Sequence, residues 1–135
     1  MAVQFSVAVR NARLDAIETT VGTSARLKIR TGAQPATCAT ADSGTVLADI
    51  TCPSDWAAAA SGGAKALSGT WQDASADAAG TAAHWRLYAS DGTTCHAQGT
   101  VTATGGGGDM TLDNAVLAVG QQVNVTSFTI TDGNA

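Results

Sequence analysis

The pattern of hydrophobic and polar residues changes about a sixth of the way along the chain. Before Gly22, apolar residues recur at steps of three and four, which predicts an amphipathic helix. The predicted inward face of this helix comprises Val7, Asn11, Leu14, Ile17 and Val21. Ser6 suits the N-cap, and a glycine suits the position after the last turn. We therefore predict a helix over residues 6–21, preceded by an extended N-terminal arm over residues 1–5.

After Gly22 the pattern is that of short strands. Leu27 and Ile29 alternate with basic residues, and Trp85 and Leu87 alternate with polar ones, so each run predicts a strand with one apolar face. The predicted strands cover residues 25–31, 45–52, 67–72, 81–89, 94–103, 110–114 and 122–131. Regular short strands of this kind are typical of an antiparallel sandwich or barrel. We predict a single domain over the whole chain that is mainly β with one N-terminal α-helix.

Turn-forming residues separate these strands. Residues 32–44 predict a long loop, and residues 54–60 predict a single helical turn. The Asp-Gly pair at residues 91–92 is a strong turn signal between two hairpin strands. The four glycines at residues 105–108 predict a flexible loop, because no Lys-Ser or Lys-Thr pair follows them as in a phosphate-binding loop. A change of facing near Ser127 predicts a β-bulge in the last strand.

Composition narrows the classes of function. The formal net charge is −4, which argues against nucleic acid as a partner because phosphate binding needs a basic face. No apolar run approaches the roughly 20 residues of a membrane span, and the N-terminus has neither the basic start nor the apolar stretch of a signal peptide. We therefore expect a protein made in the cytoplasm. Charged residues make up only 13% of the chain, and a neutral surface of small side chains favours close packing against neighbours.

Carboxylates are the first candidates for catalytic chemistry. Asp73 with Asp77, or Asp91 with Asp109, could form an acid–base pair for glycoside hydrolysis. Each of these residues lies in a stretch rich in glycine, alanine or threonine, where aspartate is favoured because its side chain binds nearby backbone. We therefore expect structural carboxylates, no catalytic residue and no cofactor.

Cysteine and histidine are the second candidates. The three cysteines, Cys38, Cys52 and Cys95, are widely spaced, and a cytoplasmic protein is expected to keep them as free thiols. Cys38 with Cys95 is the pair to consider for a disulfide if the protein later leaves the cell. Cys95 and His96 are adjacent and so point to opposite faces of a strand, which does not favour a zinc site. A catalytic pair of Cys95 and His84 has no local signal for a lowered thiol pKa.

The three tryptophans leave two alternatives open. Exposed aromatic rings stack on sugars in many β-sandwich modules, and Trp71, which precedes Gln72 and Asp73, is the best candidate for exposure. Trp85 alternates with polar neighbours and is expected in the core, and Trp56 offers a third ring. Core packing or anchoring at an interface is the more common use of tryptophan.

Two groups of residues are candidates for an interaction surface. The first lies in the arm and the first turns of the helix, where apolar and basic side chains could reach a neighbouring molecule. The second is the basic stripe on the first strand, which would suit an acidic partner. The candidate interface residues are Val3, Phe5, Arg10, Arg13, Arg26, Lys28 and Arg30.

Three segments carry a resemblance to a known class of proteins. They are RNARLDAIETTVGTSARLKIRTGAQPA, LSGTWQDASADAAGTAAHWRLY and VTSFTITDGNA, at residues 10–36, 67–88 and 125–135. Together with the segments between them, they resemble small virion proteins from the head gene modules of tailed bacteriophages, most closely capsid cement or decoration proteins. The resemblance rests on the arm, helix, strands and turns, and on no catalytic signature.

This resemblance implies a β-sandwich, often of jelly-roll type, bound to the outside of a phage head. The implied partners are the major capsid protein and further copies of the chain in a dimer or trimer, with no nucleic acid and no membrane. The implied location is the capsid exterior of the virion, with the host cytoplasm during assembly. The alternative is a module at a tail or fibre tip that recognises cell-surface glycans.

Overall fold

The computed structural model describes residues 3–133 as a mainly β fold with one N-terminal helix. The elements in chain order are α1 (Val7–Val21), β1 (Arg26–Arg30), β2 (Val46–Thr51), β3 (Ala64–Ala66), β4 (Gln72–Asp73), β5 (Gly80–Thr81), β6 (His84–Tyr88), β7 (Cys95–Ala103), β8 (Met110–Leu112), β9 (Val116–Leu117) and β10 (Val123–Thr131). Met1 and Ala2, the first two residues of the predicted arm, lie outside the described residues.

The predicted helix is confirmed, and its ends follow the expected capping chemistry. The Ser6 hydroxyl accepts a hydrogen bond from the Val9 N–H at 3.3 Å, which satisfies one of the free amides of the first turn. Gly22 ends the helix at a φ of 87°, a conformation that glycine adopts without strain. Leu14 and Val21 of the predicted inward face are buried, whereas Val7 is 48% exposed, so the prediction holds for the later turns of α1 and not for the first.

Eight of the strands form one sheet, which curls around the core. The strand order is β2-β1-β6-β7-β8-β10-β3, β4 also pairs with β10, and β5 pairs separately with β9. The β6–β7 hairpin across the predicted turn is present. The predicted bulge in the last strand is present as well, as a register shift between Val125 and Ser127.

The sheet is mixed, so the expectation of a wholly antiparallel arrangement is wrong. β7 and β8 run parallel, with Val101 opposite Met110. The glycine-rich loop makes this possible because it folds back over the strand it has just left. The Gly108 N–H donates to Thr102 Oγ1 at 3.0 Å, and a Cβ at Gly108 would lie 2.9 Å from the Thr102 backbone nitrogen. Such a short connection normally joins antiparallel strands, which is why the sequence does not reveal the parallel pair.

The core lies inside the curled sheet and is built around four aromatic rings in series. Trp56 packs on Trp71 at 6.0 Å between ring centroids, Trp71 packs on Phe128 at 5.3 Å, and Phe128 meets the edge of Trp85 at 5.1 Å. Apolar residues from α1 and from most of the strands surround these rings in one cluster. Aromatic pairs at these distances add stability beyond the area they bury.

Two local predictions are wrong, and both concern the segment between Trp56 and Trp71. Residues 54–60 form no helical turn; instead Ala57 pairs with Leu67 in an isolated bridge. The predicted strand over residues 67–72 is also absent, because β3 ends before it and β4 begins at its last residue. The Trp71 indole N–H lies 3.2 Å from the Trp56 carbonyl, so burial of the two rings determines the path of this segment.

The outer face of the sheet is covered at β6 and only partly covered at the neighbouring strands β1 and β7. All five residues of β6 are buried, although only alternate ones were expected to be. The predicted loop over residues 32–44 folds across this face, and its carbonyl groups accept hydrogen bonds from the side chains beneath. Within residues 3–133, no helix is long and apolar enough to span a bilayer.

Candidate interaction surface

Several apolar side chains in residues 3–9 are exposed to solvent. We call Val3, Phe5, Val7, Val9 and Arg13 the N-terminal surface. Val3 is 74% exposed and Phe5 is 41% exposed, which is unusual for side chains of this size. The guanidinium carbon of Arg13 lies 5.1 Å from the centre of the Phe5 ring, a cation–π distance. Arg13 therefore holds the base of the arm against the helix while leaving apolar groups exposed.

Arg10 and Arg13 both bind the end of the chain. Arg10 Nε donates to the Asp132 carbonyl at 2.5 Å, and Arg13 Nε lies 3.2 Å from the Asp132 carboxylate. A Cβ at Gly63 would lie 2.0 Å from Arg10 Nη2, so the Arg10 side chain is enclosed as well as bonded. Arg10 therefore joins the helix to β10, whereas the Arg13 side chain is still 56% exposed and can contact another molecule.

The basic stripe on β1 is occupied by partners within the chain. Arg26 donates two hydrogen bonds to Asp49, at 3.0 and 2.6 Å. Lys28 Nζ donates to the Gly92 carbonyl at 2.9 Å and lies 5.0 Å from the centre of the Tyr88 ring. An outer strand face is expected to be solvated. Here Arg26 and Lys28 instead bind groups within the chain and are only partly exposed.

Arg30 is buried, at 6% exposure, under the loop that covers the sheet. Its guanidinium binds Asp42 at 2.7 Å, and Asp42 also accepts hydrogen bonds from Arg86 and, at 2.7 Å, from the Tyr88 hydroxyl. Burial alone would raise the pKa of Asp42, but Tyr88 and the two guanidinium groups outweigh it and hold this pKa below its usual value. Burial and Asp42 raise the pKa of Tyr88 to about 12. Asp42 is thus the residue that fastens the covering loop.

A second polar cluster joins the helix to the sheet. Lys65 on β3 is 2% exposed, and its ammonium lies 2.8 Å from both Asp15 and Glu18 on α1. The hydrogen bond from Lys65 holds the pKa of Asp15 below its usual value. Burial alone would raise the pKa of Glu18, but the hydrogen bonds from Lys65 and the Ala57 N–H outweigh burial and lower this pKa. Sequence reasoning missed Lys65 and Asp42, because charged residues in alternating or loop segments give no local sign that the fold will bury them.

The structure does not unite the seven predicted interface residues into one site. Arg10 and Arg13 bind Asp132 at the helix, whereas the stripe on β1 binds Asp49, Gly92 and Asp42 on the other side of the sheet. Only the N-terminal group combines exposed apolar side chains with an exposed cation. It is therefore the better candidate surface.

Three of the carboxylates considered for catalysis bind backbone. Asp73 accepts hydrogen bonds from the Asp49 and Ser75 N–H groups, and Asp109 accepts one from Thr100. Asp91 accepts from Thr93 and Thr94, and these bonds hold its pKa far below the usual range. A carboxylate fixed in this way is a poor proton donor at neutral pH.

The sulfur and histidine groups give no metal arrangement. Among residues 3–133, no group of three or more His, Cys, Asp or Glu side chains is placed to hold a metal ion. Burial, and then the interaction with Cys38, raise the pKa of Cys95 to about 11. Both are free thiols, as is the buried Cys52.

The tryptophans do not form a surface for sugars. Trp56, Trp71 and Trp85 are all buried, and Trp71, the residue expected to be the most exposed, is only 1% exposed. Each ring packs on another aromatic side chain in the core. The row of exposed rings that a sugar-binding module needs is therefore absent.

Comparison with known proteins gives no family. No protein-family model matches the chain, and neither a curated protein nor a solved structure matches it.

Proposed function

We propose that this chain is a non-enzymatic capsid cement or decoration protein of a tailed bacteriophage, which binds the outside of the head and stabilises the major capsid protein shell. The observation that carries the proposal is the N-terminal surface, where Val3, Phe5, Val7 and Val9 are exposed at one end of a folded β domain. Exposed apolar side chains beside an exposed arginine, here Arg13, are the kinds of group that contact sites between proteins use. The resemblance of the sequence to virion proteins supplies the identity of the larger partner.

The rest of the proposal follows the same resemblance. It includes a sandwich of jelly-roll type, self-association as a dimer or trimer, and a location on the capsid exterior after assembly in the host cytoplasm. Cement proteins act by repeated contacts across subunit boundaries, so weak single contacts become strong together. A neutral surface with few charges lowers the desolvation cost of each contact.

Binding to preformed shells of the major capsid protein tests the proposal. We expect the full chain to sediment with the shells and the Val3→Asp variant to bind them at least about tenfold more weakly, because the contact would bury a charge. Val119→Asp is the matched control, because Val119 is also an exposed valine, at 70%, but lies far along the chain. Failure of the wild-type chain to bind shells or virions would overturn the proposal.

The glycan-binding alternative rested on an exposed tryptophan. Because all three tryptophans are buried in the core, we do not carry this alternative further.

A further inference from the structure

A cleft opens in the sheet where β8 stops. β8 lies between β7 and β10 but is only three residues long, whereas both of its neighbours have nine residues. Beyond Met110, the remaining parts of β7 and β10 have no strand between them among the described residues. A cleft of about 480 Å³ occupies this position, and we call it the β7–β10 cleft. Its lining residues include Ile17, Trp85, Gln98, Asp109, Phe128 and Thr131.

The registers of the flanking strands place two residues opposite each other across the cleft. Val101 pairs with Met110 on one side of β8, and Phe128 pairs with Met110 on the other. Three residues further from β8, the same registers reach Gln98 on β7 and Thr131 on β10. These two residues therefore face each other across the cleft. Since neighbouring strands lie about 4.8 Å apart, the two walls are separated by roughly the width that one extended strand fills.

The backbone groups of these two residues point into the cleft. On β7, the Val101 N–H donates to Ala83, so by alternation the Gln98 N–H and carbonyl point away from β6 and towards the cleft. On β10, the Phe128 carbonyl and the Asp132 N–H bond with the β3 side, so the Thr131 groups point to the opposite side. Outside the ladders of the paired strands, no backbone hydrogen bond among residues 3–133 involves these groups of Gln98 or Thr131, and β7 and β10 do not pair with each other.

The floor of the cleft is apolar. Trp85 and Phe128 contribute their rings from the core, and Ile17 closes one end from the helix. An occupant therefore needs a backbone that can pair on both edges and an apolar side chain that points inward. These are the requirements of strand addition by an extended peptide.

We propose that the β7–β10 cleft binds the N-terminal arm of a second copy of this chain as an added strand. The arm carries Val3 and Phe5 at a spacing of two, so both point to the same face when the arm is extended. Val3 is 74% exposed in the single chain, and residues 3–5 carry no charge that the cleft would have to desolvate. Among the described residues of the arm, none lines the cleft of its own chain.

This inference does not depend on the capsid, since it concerns association between copies in solution. Sedimentation equilibrium of the full chain, over a wide range of concentrations, is expected to show reversible self-association. Val3→Asp is expected to weaken association at least about tenfold, because the charge would enter an apolar floor. Thr131→Pro is expected to do the same by removing the cleft-facing N–H, while the pairing of β10 with β3 stays intact.

Hydrogen exchange gives a direct readout at the cleft. We expect the Gln98 and Thr131 amides to exchange quickly in dilute solution and to become protected as copies associate. Val119→Asp, an exposed valine outside the arm, is the matched control and should associate like the wild type.

A chain that stays monomeric at all concentrations, or association that Val3→Asp leaves unchanged, would overturn the inference. Protection of the two amides in a monomer would also overturn it, because the arm would then fill its own cleft. Binding of a monomer to capsid shells would reject this inference and the proposed self-association, while leaving the proposed binding to the capsid in place.

Discussion

The ammonium of Lys65 lies 2.8 Å from the Asp15 carboxylate, across the junction between α1 and the sheet. Lys65 also binds Glu18 at 2.8 Å and the Ala58 carbonyl at 2.9 Å, so its three donors are all used. Burial alone would lower the pKa of Lys65, but the two carboxylates outweigh it and raise this pKa. Lys65 is thus a buried cation that ties the helix to the sheet, beside the bond from Arg10 to Asp132.

Replacement of Lys65 by methionine should loosen this junction. Lys65→Met keeps an apolar stem of similar length but removes the ammonium from Asp15, Glu18 and the Ala58 carbonyl. We expect a loss of about 2 kcal/mol in the free energy of unfolding. Urea denaturation at neutral pH measures it. Lys28→Met is the control, because Lys28 is less buried and donates a single hydrogen bond. Equal losses in the two variants would contradict the special role of Lys65.

The sequence predicts the helix and the strands of this fold better than it predicts which segments pack against them. The helix, its Ser6 cap and the strands around Leu27 and Trp85 follow from local periodicity and turn chemistry, and they are confirmed. The parallel β7–β8 pair depends on a loop that folds back, and the burial of Arg30 depends on a loop that covers the sheet. Neither arrangement leaves a periodic signal, because each is a contact between segments distant in sequence.

The candidate interface residues show the same difference between what local sequence predicts and what the fold decides. Val3 and Phe5 were predicted from their spacing alone, and both are exposed in the structure. The β1 stripe was predicted from the same kind of pattern, but Asp42 and Asp49 are partners that no pattern on β1 could reveal. Local sequence therefore indicates which side chains share a face, and only the fold decides what covers that face.

Acid should weaken the loop that covers the sheet. The pKa of Asp42 is lower in the folded protein than in the unfolded chain, so the stabilisation it provides is present above its ordinary value of 3.8 and is lost as pH falls below that value. We expect Asp42→Asn to cost about 2 kcal/mol at pH 7, where the carboxylate binds Arg30, Arg86 and Tyr88. The difference from wild type should shrink towards pH 3 in urea titrations. Asp77→Asn, at an exposed carboxylate, serves as the control, and a gap for Asp42→Asn that is constant with pH would refute the linkage.

Oxidation should join Cys38 to Cys95. The interaction between the two thiols contributes to the raised pKa of Cys95, and Arg86 binds the Cys38 carbonyl at 2.8 Å beside them. With oxidised glutathione, the two thiols lose two electrons and two protons to form one disulfide, and the glutathione is released as two thiols. Cys52 should stay reduced, because burial raises its pKa to about 12.

Peptide mapping without reductant identifies the linked cysteines. Urea denaturation of the oxidised and reduced protein measures how much the disulfide changes the free energy of unfolding. We expect the bond to add about 2–4 kcal/mol to the free energy of unfolding, because it ties the covering loop to β7 across a long stretch of chain. Cys95→Ser should abolish both the bond and the gain, whereas Cys52→Ser should keep the bond. Glutathione attached singly to Cys38 or Cys95, with no link between them, would show that the thiols are not placed to pair.

Gly99 should tolerate no side chain, because it lies against the Trp85 ring. A Cβ at Gly99 would approach the ring carbon Cζ2 to 2.7 Å, and Trp85 is buried and also in contact with Phe128, so it has little room to move. We expect Gly99→Ala to cost about 1–3 kcal/mol, the usual range for overpacking a core, and to change the tryptophan fluorescence of the folded state. Gly133→Ala is the control, because nothing lies within 4 Å of its Cβ position. Wild-type stability in Gly99→Ala would mean that the Trp85 ring can move, and the floor of the β7–β10 cleft would then be mobile too.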